Sequence, residues 1–147
     1  AITRLVRGKT DVVMMLNGAL GGLVAITAEP LMPTPLMAII IGGIGGALVF
    51  AGTELLTAMK IDDVVGAIPV HLIAGVWGTL AVPITNPDTS FGTQFLGTAS
   101  ICVFVFVVSI IIWSIMKATI GIRISEEAEK EGTDVAETGV IAYSIRD

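Results

Sequence analysis

The sequence predicts an all-α membrane protein with four transmembrane helices, and three observations support this class. Of the 147 residues, 54% are hydrophobic and 14% are charged, whereas soluble domains carry roughly 25% charged residues, and the mean hydropathy is +0.90. Lysine and arginine are confined to alternate connections between long uncharged segments. Each of these segments is about long enough to cross a hydrocarbon core of ~30 Å. They run from Val12 to Ala28, Pro30 to Thr53, Val64 to Pro87 and Thr89 to Met116.

The basic residues also predict the orientation of the helices. We expect helices at about residues 12–28, 36–59, 64–84 and 95–117, which together form a membrane region of residues 12–121. Because lysine and arginine are retained on the cytoplasmic side of short loops, residues 1–11 are expected to form a cytoplasmic loop and residues 122–147 a cytoplasmic tail. The protein is therefore expected in the cell membrane as a multi-pass protein with both ends of the chain in the cytoplasm.

The first two helices carry small residues four positions apart. Asp11 precedes the first helix as an N-cap, and small-xxx-small pairs let helix backbones approach closely in lipid, where no hydrophobic effect drives helices together. Another such pair lies in the third helix. These pairs predict a tightly packed bundle, and they are Gly18 with Gly22, Gly42 with Gly46, and Ala74 with Gly78.

The third helix carries the residue of greatest functional interest, His71, which has no charged neighbour between Val64 and Pro87. An ionisable group inside a membrane segment is a functional hypothesis by default. Desolvation disfavours imidazolium, so a neutral ring with one donor and one acceptor nitrogen is expected. Such a ring suits proton transfer or hydrogen bonding to a small polar molecule. The alternative is a structural hydrogen bond between helices.

Four further residues near this helix have mainly structural interpretations. Asp63 is expected to cap the helix that carries His71, in a solvated turn with Asp62. Pro69 removes a backbone donor, and it either opens the helix locally or only kinks it. Asn17 and Trp77 are interpreted as interhelical hydrogen-bonding residues or interfacial anchors.

The fourth helix is rich in isoleucine, valine and phenylalanine, with Trp113 near its cytoplasmic end, as expected of a helix that faces lipid. After Gly121 the chain becomes polar, and Ser125 before two glutamates predicts the N-cap of a short helix. The tail is mostly acidic and the net charge is −5, so no nucleic-acid partner is expected. Because the chain begins with Ala1 and a loop-like segment, we expect it to start partway through a longer protein.

The sequence offers no support for an enzyme. No phosphate-binding loop, nucleophile with an adjacent base, or group of metal ligands is recognisable. Cys102 is the single cysteine and lies in the last apolar segment, where packing is the expected role. We therefore expect no catalytic residue, no cofactor and no metal.

An ordered series of motifs resembles the ammonium transporter (Amt/Mep/Rh) family and extends over nearly the whole chain. The first motif, LNGALGGLVAIT, resembles the first of the family's last four helices. The second, IDDVVGAIPVH followed by GVWGTL, resembles its penultimate helix, and the remaining motifs resemble its cytoplasmic tail. In order, the matching segments are residues 16–27, 61–71, 75–80, 121–127, 132–137 and 142–143.

The resemblance implies a four-helix portion of an eleven-helix fold that forms a pore in each subunit of a homotrimer. His71 matches the second of two pore-lining histidines that relay the proton of ammonium while neutral ammonia crosses the membrane. The resemblance also implies that this chain is a fragment or truncated chain. The first histidine, the aromatic recruitment site, the phenylalanine gate and half of the inverted repeat would then lie outside it.

Two alternatives to a transporter follow from the same residues. One is a non-conducting membrane module for ammonium sensing or assembly, and the other is a haem-binding membrane anchor, which would need a second axial ligand that the chain does not supply. The family also implies a PII-type regulator as a partner at the tail. Thr138 and Val140 stand where a histidine and a glutamate are common, which argues against tail-dependent gating and this regulator.

Overall fold

The computed structural model describes residues 2–141, and every regular element among them is helical, which confirms the predicted all-α class. A π-helical segment, residues 68–73, continues directly into α4 and is called the π-segment below. A second π-helical turn, Asp134–Thr138, follows α6. The elements are α1 (Ile2–Arg7), α2 (Val12–Ile26), α3 (Pro35–Ala58), the π-segment (Ile68–Ile73), α4 (Ala74–Thr85), α5 (Phe91–Thr119) and α6 (Glu126–Glu131).

Three helical stretches among residues 2–141 are long and apolar enough to cross a membrane, as judged by length and composition. They are α3, the π-segment together with α4, and α5. The apolar helix α2 has 15 residues and would extend only about 22 Å at 1.5 Å per residue. The span expected at residues 12–28 therefore stays a prediction.

The chain forms two compact units, one up to Cys102 and the other from Val103 onward. In the first unit, α2 packs against α3, α4 and the π-segment, and α3 packs against α4 and the π-segment. One buried cluster joins these elements through Met14, Val49, Val70 and Ala74, and a second joins them through Ala25, Ile41 and Ala81. The span formed by the π-segment and α4 therefore packs against both α2 and α3.

Glycines form the contact between α2 and α3, as the small-residue pairs predict. A Cβ atom built at Gly46 would lie 2.8 Å from the carbonyl oxygen of Gly18, and one at Gly22 would lie 3.1 Å from that of Gly42. Carbon atoms at such distances from backbone oxygen are closer than ordinary van der Waals contact. The two backbones can therefore touch only because these positions lack side chains.

Polar side chains close the ends of these helices. Asp11 caps α2, accepting a hydrogen bond from the Met14 backbone N–H at 2.9 Å, as predicted. Arg7 pairs with Glu54 of α3 and lies with its guanidinium carbon 5.9 Å from the centre of the Phe50 ring. The ion pair between Arg7 and Glu54 thereby connects the short helix α1 to α3.

The second unit contains most of α5 and the tail. None of the residues of α5 is buried, and Trp113 has an exposed fraction of 56%. Ser125 caps α6, accepting a hydrogen bond from the Ala128 N–H at 3.2 Å, which confirms the predicted cap. The tail motif at residues 142–143 lies outside the described residues.

Candidate functional site

The helix that carries His71 begins at Ile68, later than the start near Val64 expected from the sequence. Val64 and Val65 form a turn, and Gly66 follows with a φ of +77°. This left-handed conformation favours glycine and interrupts a right-handed helix. The loop before the helix is therefore longer than the hydrophobic pattern indicates.

Asp63 caps this delayed start. Its two carboxylate oxygens accept hydrogen bonds from the backbone N–H groups of Ala67 at 2.8 Å and Ile68 at 2.9 Å. Unpaired N–H groups of a first turn are the usual targets of an N-terminal acid. The capping role expected for Asp63 agrees with these bonds, although the side chain reaches across several residues of loop instead of standing next to the helix.

Pro69 lies at the start of a π-helical turn instead of an ordinary kink. The N–H of Ala74 donates to the carbonyl oxygen of Pro69, a bond between residues five apart. Such π-helical turns are rare and occur frequently at functional sites. The wider turn also buries Pro69 and Val70, which have exposed fractions below 2% and of 2%.

His71 faces away from α2 and α3. The sequence interpretation treats it as a buried group, but the structure exposes both His71 and Leu72, because Pro69, Val70 and Ala74 occupy the side of the helix that packs on α2 and α3. No hydrogen bond to the imidazole is formed by any side chain among residues 2–141.

Asn17 reaches the loop before the π-segment from α2. Its side-chain nitrogen donates a hydrogen bond to the carbonyl oxygen of Val65 at 2.9 Å. A Cβ built at Gly66 would lie 2.6 Å from that same nitrogen. Asn17 therefore lies against the loop that precedes His71, which makes it an interhelical link.

Trp77 connects the middle of the same span to α3. The indole N–H donates to the carbonyl oxygen of Ile41 at 3.0 Å, and the ring packs on the cluster formed by Ala25, Ile41 and Ala81. Of the two interpretations of Trp77, the structure supports the interhelical hydrogen bond. Asp63, Asn17 and Trp77 thus bond to backbone groups around the span and not to the His71 ring.

The sequence interpretation did not identify two glycines that shape this site. Gly66 provides the left-handed turn, and Gly52 of α3 leaves room for the π-segment, because a Cβ there would lie 2.6 Å from Ile73 Cδ1 and 3.1 Å from Pro69 Cβ. Gly66 could have been suspected, since a glycine shortly before a proline commonly marks an irregular turn. Gly52 carries no such local signal.

Comparison with known proteins adds a family. Residues 1–143 match the model of the Ammonium Transporter Family. The chain is 37% identical to the ammonium transporter Amt2 of Archaeoglobus fulgidus over 97% of this chain and 35% of that relative. It is 35% identical to the ammonium transporter of Bacillus subtilis over 95% of this chain and 38% of the relative. It is also 35% identical to the ammonium transporter Amt1 of Haloferax mediterranei over 93% and 28%. The chain thus spans about a third of the length of these curated relatives.

Proposed function

The chain belongs to the ammonium transporter family, and we propose that its protein carries ammonium across the membrane with His71 lining the pore. The family is one of transporters, which agrees with the expectation that the chain is not an enzyme. The observation that carries the proposal is the exposure of His71 on an otherwise uncharged membrane helix whose opposite side is buried. An ionisable side chain in that position can meet a second helix or a permeating molecule.

The chemistry of the imidazole fits this substrate. Carrying a charged ammonium ion through a region of low dielectric constant is costly, whereas neutral ammonia carries no charge to desolvate. A neutral imidazole offers one nitrogen that accepts a proton and another that donates a hydrogen bond. We propose that His71 takes part in removing the proton and in relaying it, together with a second histidine on another helix, as the resemblance implies.

The surroundings of the pore follow the same resemblance. We propose that the protein is a homotrimer in the cell membrane with residues 1–11 and 122–147 in the cytoplasm. In this arrangement, Asp63, Trp77 and Asn17 are structural residues beside the pore. In the cytoplasmic tail, Thr138 and Val140 argue against regulation by a PII-type protein.

Uptake measurements with two neighbouring substitutions test the function. In the complete protein, expressed in cells that lack their own ammonium transporters, His71→Ala is expected to lower uptake of labelled methylammonium by roughly 100-fold, a typical contribution of a positioned proton-transfer group. Leu72→Ala is the matched control, because Leu72 is exposed beside His71 but has no ionisable group. Membrane abundance of each variant is measured in parallel.

Three outcomes of this experiment are informative. Unchanged uptake by His71→Ala at equal abundance would contradict the role of His71. Loss of uptake in Leu72→Ala to the same degree would assign the effect to packing. Absence of methylammonium uptake by the unmodified protein, present in the membrane at normal abundance, would instead favour the non-conducting sensing module.

A further inference from the structure

The carbonyl oxygen of Val65 has no donor from the helix that follows it. In a continuous α-helix this oxygen would accept a hydrogen bond from the N–H of residue 69. Residue 69 is proline, which has no N–H. Membrane proteins tolerate proline in spanning segments where a neighbouring helix supplies the missing partner.

Asn17 of α2 supplies that partner. Its amide nitrogen donates to the Val65 oxygen at 2.9 Å and lies over Gly66, whose φ of +77° turns the chain into the π-segment. The bond joins residues 48 positions apart. A side chain from α2 therefore donates to a carbonyl oxygen that receives no hydrogen bond from the helix after it.

The rotation of the π-segment depends on where this loop is held. Neighbouring residues of an α-helix point about 100° apart at 3.6 residues per turn, so a shift of one residue in register would turn His71 into the buried direction that Val70 has. In the observed register Val70 has an exposed fraction of 2%, and His71 is exposed. The hydrogen bond from Asn17 holds the loop immediately before the π-segment, where the register of that segment is determined.

We infer that Asn17 is a positioning residue for His71: its hydrogen bond to the Val65 carbonyl holds the loop before the π-segment and so sets the rotation of that segment, with His71 facing away from α2 and α3. The inference rests on the proposed function for its consequence in transport. The positioning itself can be measured without any transport assay, because positions 70 and 71 differ in exposure.

Cysteine accessibility measures the rotation directly. The background is the complete protein with Cys102→Ser and all other native cysteines removed. Val70→Cys and His71→Cys are introduced one at a time, and the rates at which the two new cysteines react with a small cationic methanethiosulfonate are compared. Position 71 is expected to react faster. With Asn17→Leu, which has nearly the same size and no donor, the ratio of the two rates is expected to fall about fivefold, the equilibrium effect of losing one net hydrogen bond.

Two further variants serve as controls, one for the loss of the donor and one for the general loss of an interhelical bond. Asn17→Asp keeps the shape of the side chain and removes the N–H donor, so it is expected to lower the ratio as Asn17→Leu does. Trp77→Phe is the matched control, because it removes another side-chain to backbone bond between helices, located beyond the π-segment. It is expected to lower thermal stability and to change the ratio less than twofold.

Transport kinetics then link the rotation to His71. In the protein with His71 intact, Asn17→Leu is expected to lower the maximal rate of methylammonium uptake about fivefold and to leave the KM unchanged. A general loss of folded protein is separated from this effect by normalising to membrane abundance.

The possible results separate the two proposals. An unchanged reactivity ratio in both Asn17 variants, or an equal change in Trp77→Phe, would overturn the inference. A shifted ratio with an unchanged maximal rate would overturn it as well, since Asn17 would then orient the segment without serving His71. Absence of uptake by the unmodified protein, with a ratio that still depends on Asn17, would refute the proposed function and support the positioning.

Discussion

Gly78→Ala is expected to destabilise the protein, because α4 contacts α2 through backbone at this position. A Cβ at residue 78 would lie 2.8 Å from both the carbonyl carbon and the Cα of Ala25, and closer still to its carbonyl oxygen. Ordinary contact begins at 3.4 Å, so the two helices would have to separate by at least about 0.6 Å (3.4 minus 2.8). A gap of this size forfeits roughly a quarter to a half of the dispersion energy of each affected contact.

The net effect is the difference between overpacking and helix propensity. Overpacking costs up to about 3 kcal/mol, and alanine is favoured over glycine inside a helix by about 1 kcal/mol. The expected loss is therefore about 2 kcal/mol, which corresponds to a decrease in apparent Tm of roughly 4–8 °C at the 2–4 °C per kcal/mol found for chains of about this length. Thermal unfolding in detergent, followed by tryptophan fluorescence, measures it.

Gly43→Ala is the matched control on α3. A Cβ at residue 43 meets nothing within 4 Å, so only helix propensity acts, and a gain of about 1 kcal/mol is expected. The reasoning would be refuted if Gly78→Ala were as stable as Gly43→Ala, because the close backbone contact would then contribute nothing.

Two further predictions concern the ends of helices. Lys60 follows the C-cap of α3 and has a φ of +57°, and the Ile61 N–H donates to the Leu56 oxygen at 2.9 Å. Because glycine is favoured in this left-handed position after a helix, Lys60→Gly is expected to raise stability by about 1 kcal/mol. An unchanged or lower Tm would contradict this. Asp63→Ala removes both acceptors of the first turn of the π-segment and is expected to cost about 2 kcal/mol, whereas Asp62→Ala, at an exposed position, should stay within about 0.5 kcal/mol. Equal losses in the two aspartate variants would show that charge alone matters.

Features that depend on local chemistry were predictable from the sequence. The caps at Asp11 and Ser125 follow from residue types that accept hydrogen bonds from a first turn. The close approach of helices at glycine follows from pairs of small residues four positions apart, such as Gly18 with Gly22. In each case the residues that carry the signal lie within one or two turns of each other.

The site around His71 depends on distant residues, and the sequence predicted it less completely. The hydrophobic pattern from Val64 onward fits a regular helix as well as it fits the observed loop and π-segment, because the left-handed turn at Gly66 does not interrupt the apolar sequence. Pro69 indicates only that one backbone donor is missing, and the bond from Asn17 to the Val65 carbonyl depends on which helices are neighbours. The exposure of His71 likewise follows from the register of the π-segment.

The glycine contact between α2 and α3 has a mechanical consequence. An interface made of backbone loses no side-chain rotamer entropy when it forms, and it has no rotamers through which it could adjust to a displacement. A shift of α3 at Gly46 is therefore passed to α2 at Gly18 without being absorbed. Asn17 directly precedes Gly18 on α2. Gly18 and Gly46 therefore form a stiff linkage between α3 and the loop that orients His71.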